Sequence, residues 1–196
     1  MKKLEISILT GLLLAVILSQ FGAFAATCDE IRGDTLRLHI LANSDTSADQ
    51  AVKLKVRDAI LEKYGAVFSS AADKESAKRC ATASLDGMRK IAEDVLLQNG
   101  CPAAAQVKLE RLYFDTKEYE SFTMPAGMYD AVRVELGTAA GHNWFCVMYP
   151  PLCLPAASEN NTMAVFSADE KRVLKSGYTI KFAALEWLER QKAIGQ

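Results

Sequence analysis

The sequence predicts an α+β fold: a largely antiparallel sheet of about four strands, two long helices after the first strand, and a C-terminal helix. Three observations carry that expectation. Short runs alternating apolar and polar residues cluster in the second half of the chain. Two long stretches of helical periodicity follow one another with no strand between them, so regular β-α-β winding is missing. Glycine and proline fall between these stretches, where turns belong.

An apolar segment precedes all of these elements. Lys2 and Lys3 lead into a run from Ile6 to Ala26 without a charge, which closes on Ala23-Phe24-Ala25. A basic start, an apolar middle and a small-x-small ending are the parts of a secretory signal peptide, with cleavage expected between Ala25 and Ala26. The other reading is an uncleaved anchor, because a spanning helix needs ~20 apolar residues. Gly11, Ser19, Gln20 and Gly22 dilute the run and favour processing. On either reading the remainder works outside the cytoplasm. Residues 1–25 are the expected signal peptide and 26–196 a single secreted domain, large enough for its own core. Cys28 lacks the upstream Leu that opens a lipobox.

Leu36, Leu38 and Ile40 alternate with Arg37 and His39, which predicts a half-buried strand over 35–42. Asn43-Ser44-Asp45-Thr46 has the short polar side chains of a turn. Ser47-x-x-Gln50 reads as a capping box. The helix it opens carries the stripe Val52, Val56, Ala59, Ile60 and stops at Gly65. A second helix over 73–98 carries Ala77, Ala81, Leu85, Met88, Ile91, Ala92 and Val95 and ends at Asn99-Gly100. Val107 and Leu109 are out of phase with Leu112 and Phe114, which predicts one strand with a bulge near Arg111. Pro125 and Gly127 mark 122–129 as a loop. Residues 130–137 and 143–149 read as a hairpin closed by the Gly137–Gly141 turn. Its second strand is mostly apolar and so expected to be central and covered on both faces. Pro150, Pro151 and Pro155 make 150–155 a rigid extended loop. The polar stretch 156–170 is expected to be mobile. Ile180, Ala184, Trp187 and Leu188 form the stripe of the last helix.

The composition excludes several functions. The net charge is −1, so nothing suggests nucleic acid or anionic lipid as a partner. There is no P-loop, G-x-S-x-G, H-E-x-x-H or Rossmann glycine pattern, and no convincing pair of carboxylates. No catalytic, cofactor-binding or metal-binding residue is assigned, and no small-molecule substrate is expected. Two histidines are too few for a histidine-rich metal site. All five cysteines follow the apolar segment, where thiols can oxidise, and an odd number leaves at least one outside any internal bridge. Cys146 and Cys153 bracket the two prolines and read as a disulfide, the other reading being two buried thiols. The pairing of Cys28, Cys80 and Cys101 stays open. A thiol nucleophile at Cys146 would need a base from His142 or His39. His142 sits about four residues, or ~13 Å, back along the strand. Lys53, Lys55 and Arg57 read as a solvated helix face. Asn43, Ser44 and Asp45 at a strand end could make a site, although a turn plus helix cap explains the same residues.

Four segments together resemble a known family. They are Arg37-Leu38-His39-Ile40-Leu41-Ala42-Asn43-Ser44-Asp45, then Asp49 to Asp58, then Met124-Pro125-Ala126-Gly127-Met128-Tyr129-Asp130 to Val134, and finally Gly141-His142-Asn143-Trp144-Phe145-Cys146-Val147-Met148-Tyr149-Pro150-Pro151-Leu152-Cys153. This pattern is similar to that of the stage II sporulation protein R family of endospore-forming Firmicutes. Phe145 stands where that family often has a second Trp. The resemblance implies a protein made in the forespore and secreted into the space between the forespore and mother-cell membranes. There it would activate a mother-cell membrane protease of the aspartic type that processes pro-sigma-E. The expected partner surface comprises Asn43, Ser44, Asp45, Trp144, Phe145, Pro150, Pro151 and Leu152, since apolar and aromatic loop residues are the usual interface anchors. Two rival expectations are an exported thiol-dependent hydrolase of the cell envelope and a structural envelope protein retained by its uncleaved helix. The oligomeric state is left open.

Overall fold

Helix formation starts almost at the first residue, because nothing in the apolar run breaks it. The computed structural model describes residues 2–152 and 163–195, and in it α1 runs from Lys2 to Gly33 as one uninterrupted helix. The strands are β1 (Leu36–Leu41), β2 (Ala105–Phe114), β3 (Lys117–Glu118), β4 (Thr123–Met124), β5 (Gly127–Leu136) and β6 (Asn143–Tyr149). The remaining helices are α2 (Ser47–Ser69), α3 (Lys74–Gln98), α4 (Ala168–Leu174) and α5 (Ile180–Ile194). The α+β class and the mostly antiparallel four-stranded sheet agree with the expectation. Packing divides the chain into two compact units.

The larger unit comprises residues 33–112 and 128–166. Its sheet has the order β2-β5-β1-β6. β1 pairs parallel with β5 and antiparallel with β6. The expected β5–β6 hairpin therefore does not form, and β6 lies at the sheet edge rather than the centre. β1 takes the central place because both of its faces are dry: Leu36, Leu38 and Ile40 are fully buried on one, Arg37 on the other. The link from Gly137 to His142 is long enough to pass over the end of β1 instead of turning tightly. Leu36, Leu38, Ile40, Val132, Val134, Cys146 and Met148 pack with Val52, Val56 and Ile60 of α2 and with Ala77, Ala81, Met88, Ala92 and Leu96 of α3 in a single apolar cluster. Removing that apolar area from water is the main stabilisation of the unit.

The helix ends follow local chemistry. Asp73 caps α3 by accepting from the Ser76 amide, and Gly100, at φ 71°, takes the left-handed position past its end. α2 departs from expectation at both ends. Its cap is Thr46 rather than Ser47, accepting from the Asp49 amide, and Gly65 is buried inside a helix that continues to Ser69. Packing against the core outweighs the modest helix-breaking tendency of one glycine. Gly87 of α3 has its own reason, since any Cβ there would collide with the Tyr64 hydroxyl of α2. Burial along β2 slips out of alternation around Leu109 and Glu110, next to the expected bulge.

The smaller unit comprises residues 1–32, 113–127 and 167–196. One apolar cluster sets Phe24 and Cys28 of α1 against Phe182 and Leu185 of α5, with Phe21, Ala25 and Val173 at the margin, and Ile31, Phe114, Met124 and Leu174 are buried as well. Arg32 donates to the Ala126 carbonyl at 2.6 Å and to Asp29 at 2.5 Å, with Glu189 at 3.8 Å. The loop expected over 122–129 instead contributes β4, paired antiparallel with β3, and β5 begins already at Gly127. The loop expected over 156–170 ends early: residues 163–165 form a 3-10 turn and α4 starts at Ala168. A capping box, Ser167 with Glu170, opens α4. The rest of that loop, 153–162, lies outside the described residues.

Candidate functional site

Where the β5–β6 link crosses the end of β1, three of the four quoted segments meet. Ala42 and Asn43 offer backbone carbonyls that accept from the amides of Gly141 at 3.0 Å and Ala140 at 3.2 Å. The Asn43 side chain accepts from the Thr138 amide at 3.0 Å, while its own amide donates to Asp49 at 2.9 Å. Thr138 donates its hydroxyl to the Asn43 carbonyl at 2.7 Å. Asp45 accepts from both the backbone amide and Nδ1 of His142, each at 2.5 Å. Lys53, nearly two turns into α2, donates to the His142 carbonyl at 3.0 Å and to Gln50 at 2.5 Å, and Gln50 donates to the Ser44 carbonyl at 3.0 Å. The result is a polar clasp that holds the link to the strand end.

Two glycines make the close approach possible. A Cβ at Gly141 would collide with the backbone of Ser44, and one at Gly137, whose φ is 58°, with the side chain of Asn43. The clasp also sets charge. Hydrogen bonds from His142 hold the Asp45 carboxyl below the usual carboxylate range. Those from Ser44 and Asn43 do the same for Asp49. Burial pushes the Lys53 ammonium down, and its side chain is only 5% exposed. Reading Lys53 as part of a solvated face is therefore corrected: its stem packs at the base of α2 and its ammonium ties off the link. Asp45 and His142, by contrast, face solvent, the latter 80% exposed.

The clasp aims β6. Trp144 pairs with Ile40 and Phe145 with His39, so the two rings project to opposite faces of the sheet. Trp144 is half-buried, with the Arg57 guanidinium carbon 5.0 Å from its ring centroid. Phe145 stacks on His39 at 4.8 Å, and the Arg37 guanidinium carbon lies 5.0 Å from the Tyr129 ring and 5.8 Å from Phe145. Burial, then the charges of Arg133 and Arg37, push His39 down to about 4, so it is neutral at physiological pH.

Not every expected site residue joins this cluster. Asn43, Ser44, Asp45 and Trp144 come together. Phe145 is on the far face, and Pro150, Pro151 and Leu152 follow the opposite end of β6, roughly 20 Å along a strand of that length. Pro150 is buried and Pro151 and Leu152 are half-buried. Gln50, Lys53, Gly137 and Thr138 were missed as site residues, because their roles depend on a crossing that no local pattern announces. Cys146 is fully buried on the helix-facing side of β6, whereas His39 is on the other side and the Nδ1 of His142 is taken by Asp45. The expected partner of Cys146, Cys153, lies outside the described residues. Ala25 and Ala26 are consecutive residues within α1. No group of three or more potential metal ligands occurs among the described residues.

Comparison with known proteins agrees with these segments. The family model described as stage II sporulation protein R matches residues 32–159. Stage II sporulation protein R of Bacillus subtilis (strain 168) is 29% identical over 182 residues, covering 81% of this chain and 81% of its own length. No solved structure matches. The match takes in β1, the whole clasp and β6, and the chain belongs to the stage II sporulation protein R family.

Proposed function

We propose that this sporulation protein is an exported signal that activates a membrane-embedded aspartic protease of the mother cell, which then processes pro-sigma-E. On this reading the chain crosses the forespore membrane and its folded part faces the intermembrane space. The observation that carries the proposal is the clasp. Residues of the segments that carry the family resemblance fix the shape of an exposed strand end, bearing Asp45, His142 and Trp144, and do not assemble a nucleophile with its base. A rigid, solvent-facing, partly aromatic surface is what a protein ligand presents to a receptor. An apolar N-terminal helix long enough to cross a membrane supports export.

The test is reconstitution in a vegetative cell that makes the protease and pro-sigma-E. Shortening of the sigma factor should appear only when the full chain is co-expressed, and Asp45→Ala should reduce it while the protein still accumulates. Export without any change in the sigma factor would reject the proposal. The thiol-hydrolase reading is disfavoured by the placement of Cys146. It would return only if Cys146→Ala abolished an envelope-degrading activity without unfolding the protein.

A further inference from the structure

The outermost strand of a sheet turns a row of backbone amides and carbonyls away from its neighbour, ready to pair with another strand. The four-stranded sheet of the larger unit ends in β6 on one side and β2 on the other. The two edges differ. β6 is buried from Cys146 to Tyr149, and Pro150 follows at once. β2 is ten residues long, and no strand lies beyond it among the described residues. Gln106, Lys108 and Arg111 along it are exposed.

The side chains of β2 divide by face. Val107 and Leu109 are half-buried against the apolar cluster under the helices. Arg133 and Glu135 of β5 point the other way, since they alternate with the buried Val132 and Val134. Glu110 meets Arg133 at 3.3 Å, Lys108 comes within 3.8 Å of Glu135, and Arg133 meets Glu135 at 2.7 Å. Lys108 and Glu110 therefore share the face away from the helices, two residues apart and opposite in sign. Their side chains are 55% and 34% exposed, so both are accessible from the edge.

This spacing is complementary to itself. With a second copy of β2 laid antiparallel and Leu109 opposite Leu109, each Lys108 stands opposite a Glu110. A row across the join then runs Arg133, Glu110, Lys108 of the second copy and Glu135 of the second copy, alternating in sign, and the two-fold axis repeats it in reverse. On the helix side, Val107 faces Arg111, whose aliphatic stem can cover it. No like charges fall directly opposite each other along β2. Sliding the register by two residues sets Lys108 against Lys108 or Glu110 against Glu110, so the charges also select one register.

We propose that two copies of this chain associate through β2, joining their four-stranded sheets into one continuous sheet. The join gains backbone hydrogen bonds and an ion row rather than a large apolar area, so it is reversible and depends on concentration. It goes beyond the signalling reading and does not rest on it.

Sedimentation of the exported protein, purified from cells that express the full chain, tests the proposal over a series of concentrations. The parent should pass from monomer to dimer. Lys108→Glu and Glu110→Lys should each raise the dimer dissociation constant about tenfold or more, because each sets like charges opposite one another twice across the join. Both positions are partly exposed, so both variants keep their fold. Each variant also places a like charge beside β5 in its own sheet, an effect that mixing leaves unaltered. Mixed in equal amounts, the two should associate as tightly as the parent, since every charge across the join again faces its opposite. A parent that stays monomeric at every concentration would overturn the proposal, and so would a mixture no better associated than its components. Sigma-factor processing, measured separately, decides the signalling reading whichever way the mixture behaves.

Discussion

The two units are built on opposite strategies. The larger one buries Leu36, Leu38, Ile40, Val56, Ile60, Met88, Val132, Val134 and more in one continuous cluster, and then adds the clasp as a second, polar layer of constraint. The smaller one gathers Phe24, Cys28, Phe182 and Leu185 in one cluster, buries Ile31, Phe114, Phe122, Met124 and Leu174 besides, and adds ion pairs such as Arg32 with Asp29 and Arg190 with Asp115. Exposed ion pairs contribute little. The larger unit therefore has more contacts to share the loss of one, whereas the smaller draws three of its buried apolar side chains, Phe24, Cys28 and Ile31, from α1. The family match tracks this difference, ending at residue 159 before α4 and α5 begin.

The largest expected effect falls on the smaller unit. Phe24→Ala should cost about 3 kcal/mol, the usual scale for emptying an aromatic site in a core, and denaturant melts should show it as a lower midpoint for that unit. Gly141→Ala comes next. It should cost about 2 kcal/mol because the new methyl must displace the backbone of Ser44 and no rotamer change can relieve it. If Gly141→Ala proved the more damaging, the contrast between a tolerant and a fragile unit would fail.

A third prediction concerns pH in the larger unit. His39 is pushed down to about 4, below its ordinary value near 6.5, so the folded state prefers the neutral ring. Its stabilisation is complete above pH ~6.5 and is lost as pH falls through about 4. Asp45 and Asp49, both lowered, act in the same direction at still lower pH. Chemical denaturation between pH 7 and 4 should show a declining midpoint, and His39→Gln should flatten it. The smallest stability effect belongs to Arg57→Ala, about 0.5 kcal/mol from the lost contact with Trp144. That variant should leave the melt nearly unchanged while blue- or red-shifting the Trp144 emission, and its effect on sigma-factor processing would show whether the ring's orientation matters to the receptor.

Periodicity and punctuation alone were enough for β1, α2, α3 and β2, since alternation of Leu36, Leu38 and Ile40 or the stripe Ala77, Ala81, Met88, Ala92 is a local property of the chain. The same holds for the apolar α1, and the quoted segments were enough for the family. For α5 they gave the helix but the wrong face: Ile180, Trp187 and Leu188 of the expected stripe are exposed, and Phe182 and Leu185 are buried instead. Strand order was a different matter. β5 and β6 are neighbours in sequence with a glycine-rich link, and nothing nearby says that β1, from far upstream, will lie between them. That insertion is decided by which strand is apolar enough on both faces to occupy the centre, a comparison across the whole chain. The clasp inherits the same dependence: Lys53 looks like any surface lysine until the crossing places the His142 carbonyl above it. The surroundings of Phe24 are likewise a matter of α5: a small-x-small ending is a local signal, but Phe182 and Leu185, which pack with Phe24 and Cys28, come from more than a hundred and fifty residues away.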